Sequence, residues 1–156
     1  NNGWYVVNDD VTIDQRVTVI GNVHLILADG YTLTASQGIH VTGDNSLTIY
    51  AQSAGEGMGK LTANAGWERA AIGSEQSQAA GNITICGGNI TAAGGGSAAI
   101  GNVNGEAGTV TIYGGWVKAT GAYTDADSVS AWVEPAMRWA VENGIITGVT
   151  DSTLEP

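Results

Sequence analysis

The sequence predicts an all-β fold: a right-handed, three-sided parallel β-helix of about four coils, with one C-terminal α-helix. The first observation is an internal repeat, in which residues 81–95 (GNITICGGNITAAGG) match 108–122 (GTVTIYGGWVKATGA) at a shift of 27 residues. Each copy holds two short alternating strands joined by a Gly-Gly pair, which is too short for a helical crossover but suits a bend. An Ala-Ala-Ile-Gly motif, at 70–73 and again at 98–101, adds a third strand to each coil.

The earlier coils are predicted by aligning the preceding segments of the chain with the same repeat. Segment 46–50 matches 82–86 and segment 60–63 matches 89–92, so residues 51–59 between them form a protruding corner. One coil further back, the aligned positions are Leu25, Leu33 and Ile39, and the earliest coil is marked by Val11, Val17 and Val23.

Side chains alternate across a strand, so the repeat also predicts which residues face the core. Between the inward positions, Thr48, Thr84 and Thr111 face water, and the strand propensity of threonine explains this ladder better than an ice-binding surface does. Both ends of so short a stack need covers. Segment 4–7 (WYVV) starts one end, and the chain after Tyr123 is expected to cover the other. The predicted interior ladders are Leu47, Ile83 and Val110, then Ile49, Ile85 and Ile112, then Leu61, Ile90 and Val117.

The last part of the chain changes character, which predicts two domains, a β-helix over 1–122 and a helix-plus-loop segment over 123–156. From Ser130 onward the apolar residues recur at helical spacing, which predicts one α-helix of about three to four turns. Ser130 suits the N-cap, and Asn143-Gly144 supplies a left-handed stop. The apolar positions are Trp132, Val133, Ala136, Met137, Trp139, Ala140 and Val141.

Composition excludes several classes of function. Fifteen acidic and five basic side chains give a formal charge of −10, which is expected to repel nucleic acid and anionic membrane surfaces. No apolar run approaches the roughly 20 residues that span a bilayer, so membrane insertion is not expected. The single cysteine, Cys86, permits neither an internal disulfide nor a cysteine-based zinc cluster. The chain starts without Met, and we expect a piece of a longer exported protein.

The tail carries an aromatic-x-Asp opening at Tyr123 and Asp125, the turn at 143–145, and Asp151 followed by Leu154-Glu-Pro. With these motifs it resembles the first two-thirds of an S-layer homology repeat. That family anchors exported proteins of Gram-positive bacteria to cell-wall polysaccharide, so the resemblance implies an extracellular, cell-wall location and that polysaccharide as a partner of the full parent protein. The family's Thr-Arg-Ala-Glu segment would begin beyond Pro156, and the repeat occurs once. The alternative is therefore that the tail only packs on the β-helix.

The body of the chain carries the motifs WYVVNDDVTI, VHLILADGYTLTAS and DNSLTIYAQ, and AAIG followed by Gly-Gly corners. Through them residues 4–122 resemble Gly-rich β-helical modules of large surface proteins of gut Clostridia, which are sometimes labelled carbohydrate-binding. The matched residues are corner glycines and core aliphatics. The resemblance therefore implies a fold and a surface location rather than a chemical site.

No catalytic residues, metal site or cofactor are predicted. Polysaccharide lyases and hydrolases with this fold need several carboxylates and a basic group on one face, but no predicted column stacks two acids. His24 and His40 fall on different faces, so a shared metal ion is not expected. The turn residues with free oxygens are Asp9, Asp10, Asp44 and Asn45. Turn formation explains them, and calcium at their oxygens stays the open alternative.

Exposed aromatic residues supply the candidate ligand-binding residues, which are Tyr50, Trp67, Tyr113 and Trp116. Tyr50 and Tyr113 share one outward column with Cys86 between them, Trp116 follows at the next corner, and Trp67 lies in a looser turn. Aromatic faces suit sugar rings and recur at binding patches. The alternative is that Tyr113 and Trp116 pack beneath the C-terminal helix.

Taken together, these features predict a non-enzymatic adhesion or recognition module of a bacterial surface protein, whose partner is a glycan or a secreted host protein. One alternative is a dedicated host-protein surface, for example for an immunoglobulin, formed by the 51–59 loop or a solenoid face. The other alternative is a degenerate fragment of a polysaccharide lyase or hydrolase.

Overall fold

A computed structural model describes residues 1–121, 147–150 and 153–155 of the chain. The chain divides into two compact units, Asn1–Ala122 and Tyr123–Pro156. In the first unit fourteen short strands form three parallel sheets, and the described residues contain no helix. The predicted parallel β-helix is confirmed. The predicted helix from Ser130 lies outside the described residues.

The strands alternate around each coil between sheet A, sheet B and sheet C. Sheet A contains β1 (Gly3–Val7), β4 (Asn22–Leu27), β7 (Ser46–Ala51), β10 (Asn82–Ile85) and β13 (Val110–Ile112). Sheet B contains β2 (Val11–Ile13), β5 (Thr32–Ala35), β8 (Lys60–Ala65), β11 (Asn89–Gly94) and β14 (Trp116–Thr120). Sheet C contains β3 (Val17–Thr18), β6 (Ile39–His40), β9 (Ile72–Gly73) and β12 (Ile100–Gly101). Four complete coils and two strands of a fifth result, as the repeat predicts.

Equivalent residues of successive coils pair directly across each sheet. The rows in sheet A include Leu47, Ile83 and Val110, and also Ile49, Ile85 and Ile112, while sheet B aligns Leu33, Leu61, Ile90 and Val117. The predicted interior ladders are thereby confirmed. Val23 is a correction, because it lies in the second coil opposite Leu47 rather than in the earliest coil. The first coil is shorter: Gly3 pairs with Val23, 20 positions on, whereas Val23 pairs with Leu47, 24 positions on.

The core is a narrow column of aliphatic side chains inside the three sheets. Its largest fully buried members are Leu27, Leu47, Ile49, Leu61, Ile72, Ile83, Ile85 and Ile90. In β13 the same inward positions are more open, with Val110 and Ile112 41% and 53% exposed. The coils in the middle therefore bury the most apolar surface, which is the main source of their stability.

The Gly-Gly pairs make the corners between sheets A and B. Gly88 and Gly115 have φ angles of +103° and +93°, in the left-handed region that favours glycine. A Cβ at Gly115 would lie 2.6 Å from the carbonyl oxygen of Gly88 in the coil below. These corners therefore require glycine both for the backbone conformation and for the close approach of successive coils.

A largely buried arginine connects the first three coils. Arg16, between β2 and β3, donates through Nη1 to the Gln37 carbonyl at 2.8 Å and through Nη2 to the carbonyls of Ala70 and Gly73 at 3.1 and 3.3 Å. Its Nε lies 3.1 Å from Glu75 Oε1 but is not aligned for a hydrogen bond, so that contact is an ion pair. Burial lowers the pKa of Arg16, and the Glu75 carboxylate acts in the opposite direction. The guanidinium thus joins segments far apart in sequence.

The described part of the second unit consists of two antiparallel strands. In it β15 (Thr147–Thr150) pairs antiparallel with β16 (Thr153–Glu155). The sequence predicts a loop here, whereas the structure has two strands, which suits the β-branched residues of this stretch. No helix among the described residues has the length and apolar character needed to span a bilayer.

Candidate functional site

The outer face of sheet A carries three columns of side chains that run across the strands. Because the inward side chains of β4 and β7 are buried, the residues between them point outward. The first column contains Asn22, Ser46 and Asn82; the second contains Trp4, His24, Thr48, Thr84 and Thr111; the third contains Val6, Ile26, Tyr50, Cys86 and Tyr113. We term these three columns the sheet A face.

Three aromatic rings stack at one end of the sheet A face. The rings of Trp4 and His24 lie 4.2 Å apart between centroids and are nearly parallel, at 14°. Tyr50 joins them with its ring 5.3 Å from Trp4, and its hydroxyl lies 3.4 Å from Nδ1 of His24. Trp4 stays 62% exposed, so one face of this stack is open to solvent. The stack is therefore a rigid aromatic platform.

The third column continues past the strand ends to the other edge of sheet A. The backbone N–H groups of Cys86 and Tyr113 donate at 2.8 Å to the carbonyls of Ile49 and Ile85, which keeps Tyr50, Cys86 and Tyr113 in register. The predicted outward column is confirmed. Tyr113 is 78% exposed and so presents nearly its whole ring to solvent. The alternative, that the C-terminal helix covers Tyr113, lies outside the described residues.

The predicted protruding corner separates two grooves between sheets A and B. On the sheet A side, a groove of about 420 Å³ is lined by Tyr50, Cys86, residues 51–54 and the corner glycines. On the sheet B side, a groove of about 210 Å³ is lined by Trp116, Asn89, Lys60 and residues 55–58. Trp116 is 53% exposed there. Tyr50, Tyr113 and Trp116 thus lie on or beside one corner of the solenoid.

Trp67 lies elsewhere. It follows β8, at the corner between sheets B and C, and its ring lies over Gly96 of the next coil. It is 73% exposed. Of the four predicted ligand-binding residues, the structure therefore places three around the corner between sheets A and B and separates Trp67 from them.

Several of the polar residues considered for metal binding have partners within the fold. Nε2 of His40 lies 2.8 Å from Oε1 of Gln78, on sheet C, so the two histidines are on different faces as predicted. Asp10 accepts a hydrogen bond from the backbone N–H of Thr32 at 2.8 Å, and Asn45 accepts one from that of Gly21 at 2.7 Å. Within the described residues, no group of three or more His, Cys, Asp or Glu side chains could hold a metal ion. The absence of a metal site in the whole chain stays a prediction.

Sequence reasoning missed Trp4 and His24 as functional candidates. The sequence alone places Trp4 at one end of the solenoid and His24 on a different face from His40. The sequence does contain a signal for this pair. When the strand that starts at Trp4 is aligned with the strand that starts at His24, at a shift of 20 residues, the two rings become neighbours on the outer face. The shorter first coil hides this alignment from a search at the main repeat length.

Comparison with protein families gives two matches along the chain. Residues 83–105 and 110–130 match the family described as beta helix repeat, and residues 122–156 match the S-layer homology domain. Comparisons with curated proteins and with solved structures gave no match. The predicted arrangement, a β-helix module followed by an S-layer homology repeat, is confirmed, and it indicates a protein associated with the cell surface.

Proposed function

We propose that this chain, a parallel β-helix followed by an S-layer homology domain, is a non-enzymatic recognition module of a Gram-positive cell-surface protein. It binds glycans through the exposed aromatic residues on and beside the sheet A face. The S-layer homology segment supports attachment of the parent protein to cell-wall polysaccharide.

The observation that carries this proposal is the set of open aromatic rings on a rigid sheet. Trp4, Tyr113 and Trp116 are 62%, 78% and 53% exposed, although burial of such rings contributes much of the stability of an ordinary core. Contiguous exposed apolar surface on a folded protein marks binding sites. Tyrosine and tryptophan combine an apolar face with a polar edge, which matches the two sides of a sugar ring.

The partners of three acidic residues, Asp10, Asp14 and Glu75, support a binding rather than a catalytic role. Asp10 holds the backbone of β5, and Asp14 accepts a hydrogen bond from the Ser36 hydroxyl at 3.2 Å. Glu75 is engaged by Arg16 and Arg69 at 3.1 and 3.3 Å. These carboxylates have structural partners, whereas glycoside cleavage needs two carboxylates free to act on the same bond. Incubation with acidic and neutral polysaccharides is expected to release no reducing ends and no unsaturated products.

A secreted host protein is the second candidate partner, because the corner between the two grooves is firmly held. Met58 is only 4% exposed, and the carbonyl of Gly57 accepts a hydrogen bond from the Gly30 N–H at 2.9 Å. Residues 52–54 and 56–57 of the same segment are exposed. A fixed, protruding segment beside exposed aromatic residues suits a protein epitope as well as a glycan.

Removal of two aromatic side chains tests the proposed function. In the double variant Tyr113→Ala, Trp116→Ala we expect binding to the best ligand from a glycan array and a panel of secreted proteins to weaken by about tenfold or more, a loss of about 1.4 kcal/mol or more. Binding is measured by calorimetry, and circular dichroism checks the fold.

Trp67→Ala is the control, since it removes a tryptophan that is even more exposed than Trp116, at another corner. We expect its affinity to be unchanged. Unchanged binding in the double variant, or an equal loss in the control, would show that these aromatic residues do not form the site.

A further inference from the structure

The sheet A face carries no charged side chain in its three columns, although the chain has fifteen acidic and five basic residues. Its groups are amides, hydroxyls, one imidazole, one thiol and apolar or aromatic side chains. The outer face of sheet B differs, since it carries Lys60 and Lys118. A charged ligand on the sheet A face would lose hydration without gaining an ion-pair partner, which costs free energy. The face therefore favours an uncharged ligand.

The columns of the sheet A face run across the strands, along the axis of the solenoid. Neighbouring strands are about 4.8 Å apart, so five strands present equivalent groups at regular steps over about 20 Å. The second column repeats a hydroxyl at Thr48, Thr84 and Thr111, and the third column beside it supplies rings and apolar groups. A ligand that repeats hydroxyls on one edge and an apolar face on the other matches this pattern along the solenoid axis.

Exposed rings stand at the two edges of the sheet A face. Trp4 lies in β1, the first strand of sheet A, and Tyr113 follows β13, the last strand. Both rings are largely exposed, and Tyr50 extends from the middle strand back to the ring of Trp4, 5.3 Å away. A long ligand that follows the columns would therefore meet the stacked rings of Trp4, His24 and Tyr50 at the start of its path and the ring of Tyr113 at its end.

We propose that the sheet A face binds an uncharged, extended polysaccharide that runs across the five strands from Trp4 to Tyr113. This inference rests on the proposed function and specifies its ligand class and direction. Sugar rings stack on the aromatic side chains, while the threonine hydroxyls and the amides of Asn22 and Asn82 hydrogen-bond the sugar hydroxyls. The net charge of −10 disfavours acidic polysaccharides at the same surface.

Two matched substitutions in the fourth coil test this inference on the full 156-residue chain. Thr84→Asp places a carboxylate in the middle column of the sheet A face, on the fourth of its five strands, and Thr91→Asp places the same charge on the outer face of sheet B. Both threonines are half-buried, and Lys118 beside Thr91 favours a carboxylate there, so circular dichroism checks that each variant folds. The probes are cello-, xylo- and manno-oligosaccharides of increasing length, with oligogalacturonate as the charged counterpart, and affinity is measured by calorimetry.

For the best uncharged series, affinity is expected to rise with length until the chain spans about 20 Å and then to level off. Thr84→Asp should weaken this binding about tenfold or more, while Thr91→Asp should leave it unchanged. Oligogalacturonate should bind more weakly than the uncharged series.

Other results overturn the inference in distinguishable ways. Equal binding of oligogalacturonate, equal loss in both variants, or binding of a secreted protein alone would reject the ligand class and leave the recognition function intact. If sedimentation shows that Thr84→Asp separates a dimer, the face is an interface between copies of the chain and the inference is wrong. If no glycan and no secreted protein binds, both the inference and the proposed function are wrong.

Discussion

Replacing Gly73 by alanine is expected to destabilise the β-helix by about 3 kcal/mol or more, a large part of the roughly 5–15 kcal/mol by which ordinary domains are stable. Gly73 has a φ angle of +143°, which side chains rarely adopt. A Cβ there would also overlap the carbonyl oxygen of Gly101, its partner in the next coil. The backbone of Gly73 is held in place, because β9 pairs with β6 on one side and with β12 on the other.

Urea unfolding followed by circular dichroism measures this effect. Gly66→Ala is the matched control, because a Cβ at Gly66 meets nothing within 4 Å. We expect that variant to stay within about 0.5 kcal/mol of the parent chain. A Gly73→Ala variant with the same unfolding midpoint as the control would contradict the close stacking of the third and fourth coils.

Replacing Arg16 by methionine is expected to lower the free energy of unfolding by about 3 kcal/mol. Methionine fills much of the same space but leaves the carbonyls of Gln37 and Ala70 without this donor, while the Gly73 carbonyl keeps only the N–H of Val41. It also removes the less exposed of the two partners of Glu75. Unsatisfied groups in a buried site cost more than the bonds themselves contribute.

Arg69→Met is the comparison that isolates the effect of burial. Arg69 reaches the same Glu75 oxygen at 3.3 Å, but its side chain is 45% exposed, against 11% for Arg16. Surface ion pairs contribute little, so a loss below about 1 kcal/mol is expected in thermal or urea unfolding. Equal losses in the two variants would show that the ion pair, and not the buried carbonyl contacts, stabilises the corner.

The fold could be predicted from the sequence because its main determinant is local and repeated. Gly-Gly pairs and alternating aliphatic residues recur at one spacing in the fourth and fifth coils, so aligning them fixes the register, as the pairing of Ile83 with Val110 shows. Val23 escaped this alignment because the first coil is shorter than the others. The bridge made by Arg16 could not be predicted, since it joins residues 54 and 57 positions apart through contacts that no repeat encodes.

The candidate site was predicted in part. The column of Tyr50, Cys86 and Tyr113 follows from strand alternation and is confirmed, but Trp67 is exposed at a different corner because the path of a loop is not set by periodicity. The ring stack of Trp4, His24 and Tyr50 depends on the register between β1 and β4 and on rotamers, and only the register could be read from the sequence. The uncharged character of the sheet A face becomes visible only when the residues of five strands are combined.

The bridge made by Arg16 affects the order in which the stacked layers unfold. Stacked repeats ordinarily fray from their ends, because each layer contacts only its neighbours. Here one side chain next to the first layer is bonded to the second and the third, so peeling the N-terminal layer must also break bonds two layers deeper. In a surface protein under tension, these three layers would therefore unfold together rather than one after another. They include Trp4, the first ring of the aromatic stack.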